Sequence, residues 1–148
     1  MRRLFSVLIL VSSCHLYAID LDTNFEWGSP KSAVIAEYGV PSQNQETTLY
    51  YRKSDGTGST SFFFYEGSSM GLILATGIEQ SDTLESALVE SYGDGSDYGP
   101  VGKVWRGKDS MFVLIRMESR VFLVTTPPRA NDLKYVIDQI RSLPNLAK

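Results

Sequence analysis

The segment at residues 33–39 reads AVIAEYG, and a related segment, ALVESYG, occupies residues 87–93, 54 positions further on. The same offset aligns two later pairs, Tyr51 with Trp105 and Arg52 with Arg106. Matches that recur in one order favour a tandem duplication, because periodic self-similarity is typical of repeated structural units. We therefore expect two related units, at about residues 25–80 and 81–128.

The first unit carries the signals of a helix between Ser29 and Gly39. Ser29 is a favourable N-cap, and Pro30 suits the first helical position, where its missing N–H leaves no hydrogen bond unmade. Gly39 can take the left-handed conformation that ends a helix, and Pro41 opposes its continuation. These residues predict a short helix followed by a sharp turn.

Three strands are predicted after each helix, because β-branched and aromatic residues are enriched between turns of Gly, Ser and Asp. The predicted ranges are 48–53, 60–66 and 70–78 in the first unit, and 101–107, 110–117 and 120–126 in the second. A last helix is expected at about 131–142, since Leu133, Val136, Ile137 and Ile140 recur at helical spacing. The predicted fold class is α+β: two αβββ repeats plus a C-terminal helix, with the helices on one face of an antiparallel sheet.

Both faces of the aromatic strand look apolar. Neighbouring strand residues point to opposite faces, so Phe62 and Phe64 share one face while Phe63 and Tyr65 share the other. Helices on one side would cover only one face. We therefore expect the other to be a partly apolar surface, or to be covered by a loop or a partner.

The composition places the chain among ordinary globular proteins. It has 148 residues, 43% apolar and 21% charged, with a formal net charge of −3. This balance argues against disorder, and the lack of a basic excess argues against nucleic-acid binding. No later stretch is apolar for long enough to suggest a transmembrane span.

The first eighteen residues have the pattern of an export signal. Arg2 and Arg3 precede a short apolar run at residues 4–11, and small residues follow. Cleavage after Ala18 would give a periplasmic or secreted protein. Cleavage before Cys14 is the alternative, because residues 11–14 resemble the lipobox of bacterial lipoproteins; Cys14 would then carry a lipid that anchors the protein to the envelope.

Removal of residues 1–18 changes the available chemistry. Cys14 and His15 are the only Cys and His of the chain, so residues 19–148 would form a single exported domain with no disulfide, no Cys/His zinc site and no Cys or His nucleophile. Loss of Arg2 and Arg3 leaves 12 basic and 17 acidic residues, a net charge of −5. We expect no metal and no cofactor.

Residues 28–41, GSPKSAVIAEYGVP, have a Gly, a Val six positions later, a second Gly at eleven and a Pro at thirteen. This pattern resembles the helix-entry motif of the small lipoprotein of the outer-membrane β-barrel assembly machinery, and it is similar to that of the two-repeat β-lactamase inhibitory proteins. The resemblance implies helices packed on one face of an antiparallel sheet, and a protein that binds other proteins rather than an enzyme. It assigns no binding residue.

The aligned Tyr-Arg and Trp-Arg pairs give the candidate binding residues. Because strand neighbours alternate, Tyr51 and Trp105 would share a face under the helices, and Tyr50, Arg52 and Arg106 would share the opposite face. Arg and Tyr are enriched at the centres of protein interfaces. Tyr50, Arg52 and Arg106 are therefore the predicted partner-binding residues, although a solvated Arg pair is the simpler interpretation.

The sequence favours an exported bacterial envelope protein that acts as a non-enzymatic protein-binding or assembly module. Its expected partner is another envelope protein. Two alternatives remain at this stage: a periplasmic carrier that holds a small apolar ligand between helices and sheet, and a small hydrolase that uses a pair of carboxylates. No catalytic residue is predicted.

Overall fold

The computed structural model describes residues 26–54, 56–100, 102–129 and 133–138. Eight strands in this part of the chain form one antiparallel sheet. They are β1 (Gln43–Gln45), β2 (Thr48–Arg52), β3 (Ser59–Tyr65), β4 (Ser68–Gly77), β5 (Ser96–Tyr98), β6 (Gly102–Arg106), β7 (Met111–Arg116) and β8 (Arg120–Thr126). Their spatial order is β1-β2-β3-β4-β8-β7-β6-β5, so the first four strands and the last four run outward from a central pair.

The two halves of the chain join where β4 pairs with β8. Six residue pairs connect them, from Leu72 opposite Thr125 to Gly77 opposite Arg120. Apolar side chains on both faces of this seam are buried: Ile73, Ala75, Val121, Phe122, Leu123 and Val124. The seam can be apolar on both faces because helices cover it from both sides.

Two helices cover what we call the first face of the sheet. They are α1 (Lys31–Tyr38) and α2 (Ser81–Tyr92), and a 3-10 turn at Ile78–Gln80 leads into α2. Val34 of α1 packs with Leu49, Phe62 and Phe64. The α2 contacts form a second cluster, which contains Leu84, Leu88, Trp105, Phe112, Leu114, Val121 and Leu123.

The C-terminal helix, described over residues 133–138, lies against the opposite, second face. Its buried side chains are Leu133, Val136 and Ile137. They join a cluster of sheet residues that contains Phe63, Ile73, Val104, Met111, Val113, Phe122 and Val124. The apolar second face that the sequence left without a cover is thus closed over part of its width by the end of the same chain.

The predicted fold class is wrong. The structure is mostly an eight-stranded antiparallel sheet, not two αβββ repeats with all helices on one face, since the C-terminal helix lies on the second face. Each helix, α1 and α2, is followed by four strands. The prediction missed β1 and β5 because these short strands are exposed throughout and carry no apolar alternation; only their pairing with β2 and β6 defines them.

Sheet side chains hold the C-terminal ends of both first-face helices. Tyr51 Oη donates a hydrogen bond to the carbonyl oxygen of Gly39 at 3.0 Å, and Trp105 Nε1 donates one to that of Gly93, also at 3.0 Å. Ser29 does not cap α1 with its side chain, because its Oγ donates to the carbonyl oxygen of Glu26. The expected side-chain N-cap of α1 is thus absent, and the helices are held instead at their C-terminal ends by side chains of the sheet.

Several predictions made from the termini lie outside the described residues. These are the leader at residues 1–18 with Cys14 and Ala18, and the predicted ends of the helix at 131–142. Within the described ranges, no helix combines the length and the apolar character needed to cross a membrane.

Gly71 allows the C-terminal helix to approach the sheet. A Cβ at this position would collide with Cγ2 of Val136. We expect Gly71→Ala to lower the free energy of unfolding by about 1–3 kcal/mol, the usual cost of overpacking a core. Urea denaturation of Gly71→Ala, Val136→Ala and the double variant measures this loss in the free energy of unfolding. The double variant should lose less stability than the two single losses combined, because the shorter side chain at position 136 makes room for the added Cβ; simple additivity would contradict the contact.

Candidate functional site

Among the described residues, the C-terminal helix packs on the second face from β6 across to Phe63 of β3, and a groove lies beyond it on β2 and the start of β3. On β7, Met111 and Val113 are buried beneath the C-terminal helix. On β3, which lies equally far from the central seam, the corresponding face presents Ser59 and Ser61 instead. Ser59 and Ser61 are each only 7% exposed, so another molecule would reach this half of the face mainly through the groove that they help to line.

A groove of about 420 Å³ lies on this polar half, and we call it the β2–β3 groove. Its lining contains the hydroxyl groups of Ser42, Thr48, Tyr50, Thr57, Ser59 and Ser61, the amides of Gln43 and Gln45, and the guanidinium groups of Arg52 and Arg120. Ile73 and Ala75 contribute an apolar floor. The volume is within the range of ordinary ligand pockets, and the lining combines polar and apolar surface.

Strand register explains why these side chains meet. Tyr50 of β2 lies opposite Ser61, and Arg52 lies opposite Ser59, so all four point to the second face. Ser61 in turn lies opposite Ile73 of β4, which brings the apolar floor next to the hydroxyl groups. Because the groove residues stand mainly on paired strands, the lining is held in place before any ligand arrives.

The loop that closes one end of the groove depends on Gly58. A Cβ there would lie 2.8 Å from the carbonyl oxygen of Ala75, so only glycine permits this approach of the loop to β4. Lys53 N donates to Gly58 O at 2.9 Å and closes the turn. The turn places Gly56 beside Arg52, whose Nη2 would be 3.8 Å from a Cβ at residue 56.

The structure brings together two of the three predicted binding residues. Tyr50 and Arg52 line the β2–β3 groove. Arg106 lies on the same face but on β6, five strand spacings from β2, a distance of roughly 24 Å at about 4.8 Å per strand. Its Nη1 donates to Sδ of Met111, beside a smaller cavity that Leu133 and other residues of the C-terminal helix help to line.

Of the groove residues, the sequence analysis named only Tyr50 and Arg52; those that it missed include Thr48, Ser59, Ser61 and Arg120. Strand β3 was interpreted through its aromatic half, residues 62–65, where both faces are apolar. The signal lay in the preceding half, because Ser59 and Ser61 are polar where Met111 and Val113 are apolar. Arg120 carried no such signal, since it joins the groove only through the pairing of β8 with β4.

The outer edge of β1 is less open than the groove. Lys31 Nζ donates to Asn44 Oδ1 at 3.1 Å and also to the carbonyl oxygen of Gln45. A lysine over an edge strand hinders the addition of another strand, a common protection against unwanted pairing. The accessible part of this half is therefore the face of the sheet.

The first face carries the one clear charge cluster among the described residues. Glu85 of α2 accepts hydrogen bonds from Lys103 Nζ of β6 and from Arg116 Nη2 of β7, and Arg116 Nε donates to Ser81 Oγ. The hydrogen bond from Lys103, aided by Arg116, lowers the pKa of Glu85 below its ordinary value. A carboxylate engaged at both oxygens is a poor general base, and the cluster instead attaches α2 to the sheet.

The pairing of Glu85 predicts a dependence of stability on pH. The lowered pKa means that the folded state favours the carboxylate, so the stabilisation is present at neutral pH and is lost as the pH falls through and below the ordinary value of 4.5. We expect Glu85→Gln to lower the free energy of unfolding at pH 7 by about 1 kcal/mol, given the partial exposure of the pair, and to have a smaller effect at pH 3, where more of the carboxylate is protonated.

Urea denaturation at the two pH values measures this difference. Glu90→Gln is the matched control, because Glu90 is exposed on the same helix and makes no ion pair with the described residues. An equal loss in the free energy of unfolding for Glu85→Gln at pH 7 and pH 3 would show that the ion pairs contribute nothing to stability.

Neither a metal-binding cluster among the described residues nor a similar protein of known function identifies the role of the site. The described residues contain no cluster of three or more His, Cys, Asp or Glu side chains that could hold a metal ion. No protein-family model matches the chain, and comparison with curated proteins and with solved structures gave no match either. The assignment of function therefore depends on the chemistry of the β2–β3 groove.

Proposed function

We propose that this protein is an exported, non-enzymatic binding module of the bacterial envelope, which recognises a partner protein through the β2–β3 groove. The observation that carries the proposal is the asymmetry of the second face among the described residues: one half is apolar and covered by the C-terminal helix, and the other contains a groove lined by hydroxyl, amide and guanidinium groups. Export is proposed from the sequence of residues 1–18.

The groove favours binding over catalysis. Among the described residues, its lining contains no carboxylate, so it supplies no acid–base pair for hydrolysis of the two-carboxylate type. Its hydroxyl, amide and guanidinium groups are instead suited to hydrogen bonding across an interface. Tyr50 and Arg52 belong to the residue types that most often dominate binding energy at protein interfaces.

The packing between the helices and the sheet does not favour the alternative in which the protein carries a small apolar ligand there. Val34, Leu84 and Leu88 are fully buried there against the first face, together with Leu49 and Phe62. The β2–β3 groove is on the other side of the sheet, and its lining combines hydroxyl, amide and guanidinium groups with the apolar floor of Ile73 and Ala75. A partner with polar side chains suits that lining better than an apolar molecule does.

Site-specific crosslinking in cells tests the proposal. A photoreactive amino acid at Gln43, on the exposed rim of the groove, should give a discrete adduct with one envelope protein. The same amino acid at Glu90, which is exposed on α2 on the other side of the sheet, should not. Mass spectrometry of the adduct identifies the partner.

Two blocking variants provide the control. Ser61→Trp fills the middle of the groove, and Gln45→Trp obstructs its exposed rim. Each should reduce the Gln43 adduct at least fivefold while thermal melting shows a folded protein. Equal adducts at Gln43 and Glu90, or adducts insensitive to both variants, would disprove recognition through the groove.

A further inference from the structure

We infer that the β2–β3 groove is a carboxylate-recognition site, and that its occupant is a short acidic segment of the partner protein. This inference rests on the proposed function, since it specifies which chemistry the groove selects. It follows from three properties of the lining: its charge, its hydroxyl groups and its apolar floor.

Among the described residues, the lining of the groove carries a charge opposite in sign to that of the chain. The whole chain has a net charge of −3, yet the described lining holds two guanidinium groups, Arg52 and Arg120, and no carboxylate. Neither guanidinium makes an ion pair with a carboxylate of the described residues. Arginine presents a planar fork of N–H donors that matches a carboxylate in a bidentate pair.

The two arginines are not equivalent. Arg120 lies opposite Gly77, and the carboxylate of Glu79 occupies the space beside Gly77. Glu79 does not line the groove, but its charge partly offsets the field of Arg120. Arg52 is therefore expected to contribute more to binding than Arg120.

The rest of the lining suits an Asp or Glu side chain. The hydroxyl group of Tyr50 can donate to a carboxylate oxygen that Arg52 leaves unpaired, whereas Thr48, Ser59 and Ser61 are each only 7% exposed and form the deeper part of the lining. The floor formed by Ile73 and Ala75 can accept the methylene groups of the same side chain. The charge, the hydrogen-bond donors and the apolar floor of the groove therefore all suit an Asp or Glu side chain.

The overall charge of the protein favours a short segment over an extended polyanion. Charges in solution act over a screening length of about 8 Å at physiological ionic strength, so a few carboxylates inside the groove respond mainly to Arg52 and Arg120. A nucleic acid or an anionic membrane would extend past the groove and meet the acidic remainder of the chain, with its 17 Asp and Glu residues. The exposed rim at Gln43 and Gln45 leaves room for a polypeptide to enter and leave.

A pair of matched peptides tests the inference on the full chain. The probes are two fluorescent nonapeptides with blocked ends, one of alternating Glu and Ser and the other of alternating Gln and Ser. Fluorescence anisotropy at 50 mM salt should show at least tenfold tighter binding of the Glu peptide, with the affinity falling as salt is raised. Equal affinities, or no binding of the Glu peptide, would overturn the inference.

Three single variants locate the binding. Arg52→Ala should weaken binding of the Glu peptide at least tenfold, and Arg120→Ala about threefold. Lys108→Ala removes one positive charge from the exposed turn after β6, outside the groove, and should change the affinity less than twofold. A loss in Lys108→Ala equal to that in Arg52→Ala would show non-specific attraction and overturn the assignment.

Two further measurements separate this inference from its rivals. Glutarate, a free dicarboxylate, should displace the Glu peptide only at concentrations far above those of the unlabelled peptide. Displacement at equal concentration would show a site for small organic acids and overturn the peptide assignment.

The Gln43 adduct should weaken in the Arg52→Ala/Arg120→Ala double variant. An undiminished adduct would overturn carboxylate recognition while leaving the proposed function intact, whereas absence of any adduct at Gln43 disproves the proposed function itself.

Discussion

The pairing of β4 with β8 is the contact on which the rest of the structure depends. It joins strands that are distant in sequence, Leu72–Gly77 with Arg120–Thr125, and it places both at the centre of the sheet. Each half of the chain then extends outward from this seam by local hairpins, which add little loop-closure cost. Because the seam is apolar on both faces, it requires cover on both sides, and α1, α2 and the C-terminal helix together supply it.

The need for cover on the second face also creates the candidate site. The C-terminal helix packs over the apolar part of the face, where Gly71 lets Val136 approach the sheet, and the β2–β3 groove lies beyond it. The groove is lined by hydroxyl groups and by the exposed Arg52, so contact with water inside it costs less free energy than it would for an apolar lining. Stability and recognition thus use different halves of the same face.

Much of the local structure was predictable from the sequence, whereas the fold class was not. The six longer strands lie within two residues of their predicted ends, because their aromatic and β-branched residues mark them. The error concerned β1 and β5, which are polar and exposed, and the side of the sheet taken by the C-terminal helix. A helical pattern identifies an apolar stripe but not the surface that will bury it.

The candidate site was likewise predictable only in part from the sequence. The amino-acid sequence by itself determined that Tyr50 and Arg52 would flank a residue facing the other side, since the two-residue period of a strand is a local property of the backbone. Only the tertiary structure decided that Arg120 would join Arg52 and that Arg106 would lie roughly 24 Å from the groove, at about 4.8 Å for each of five strand spacings. The reason is physical: spacing along one strand is set by covalent geometry, whereas neighbourhood across a sheet is set by which apolar strands pair at its centre.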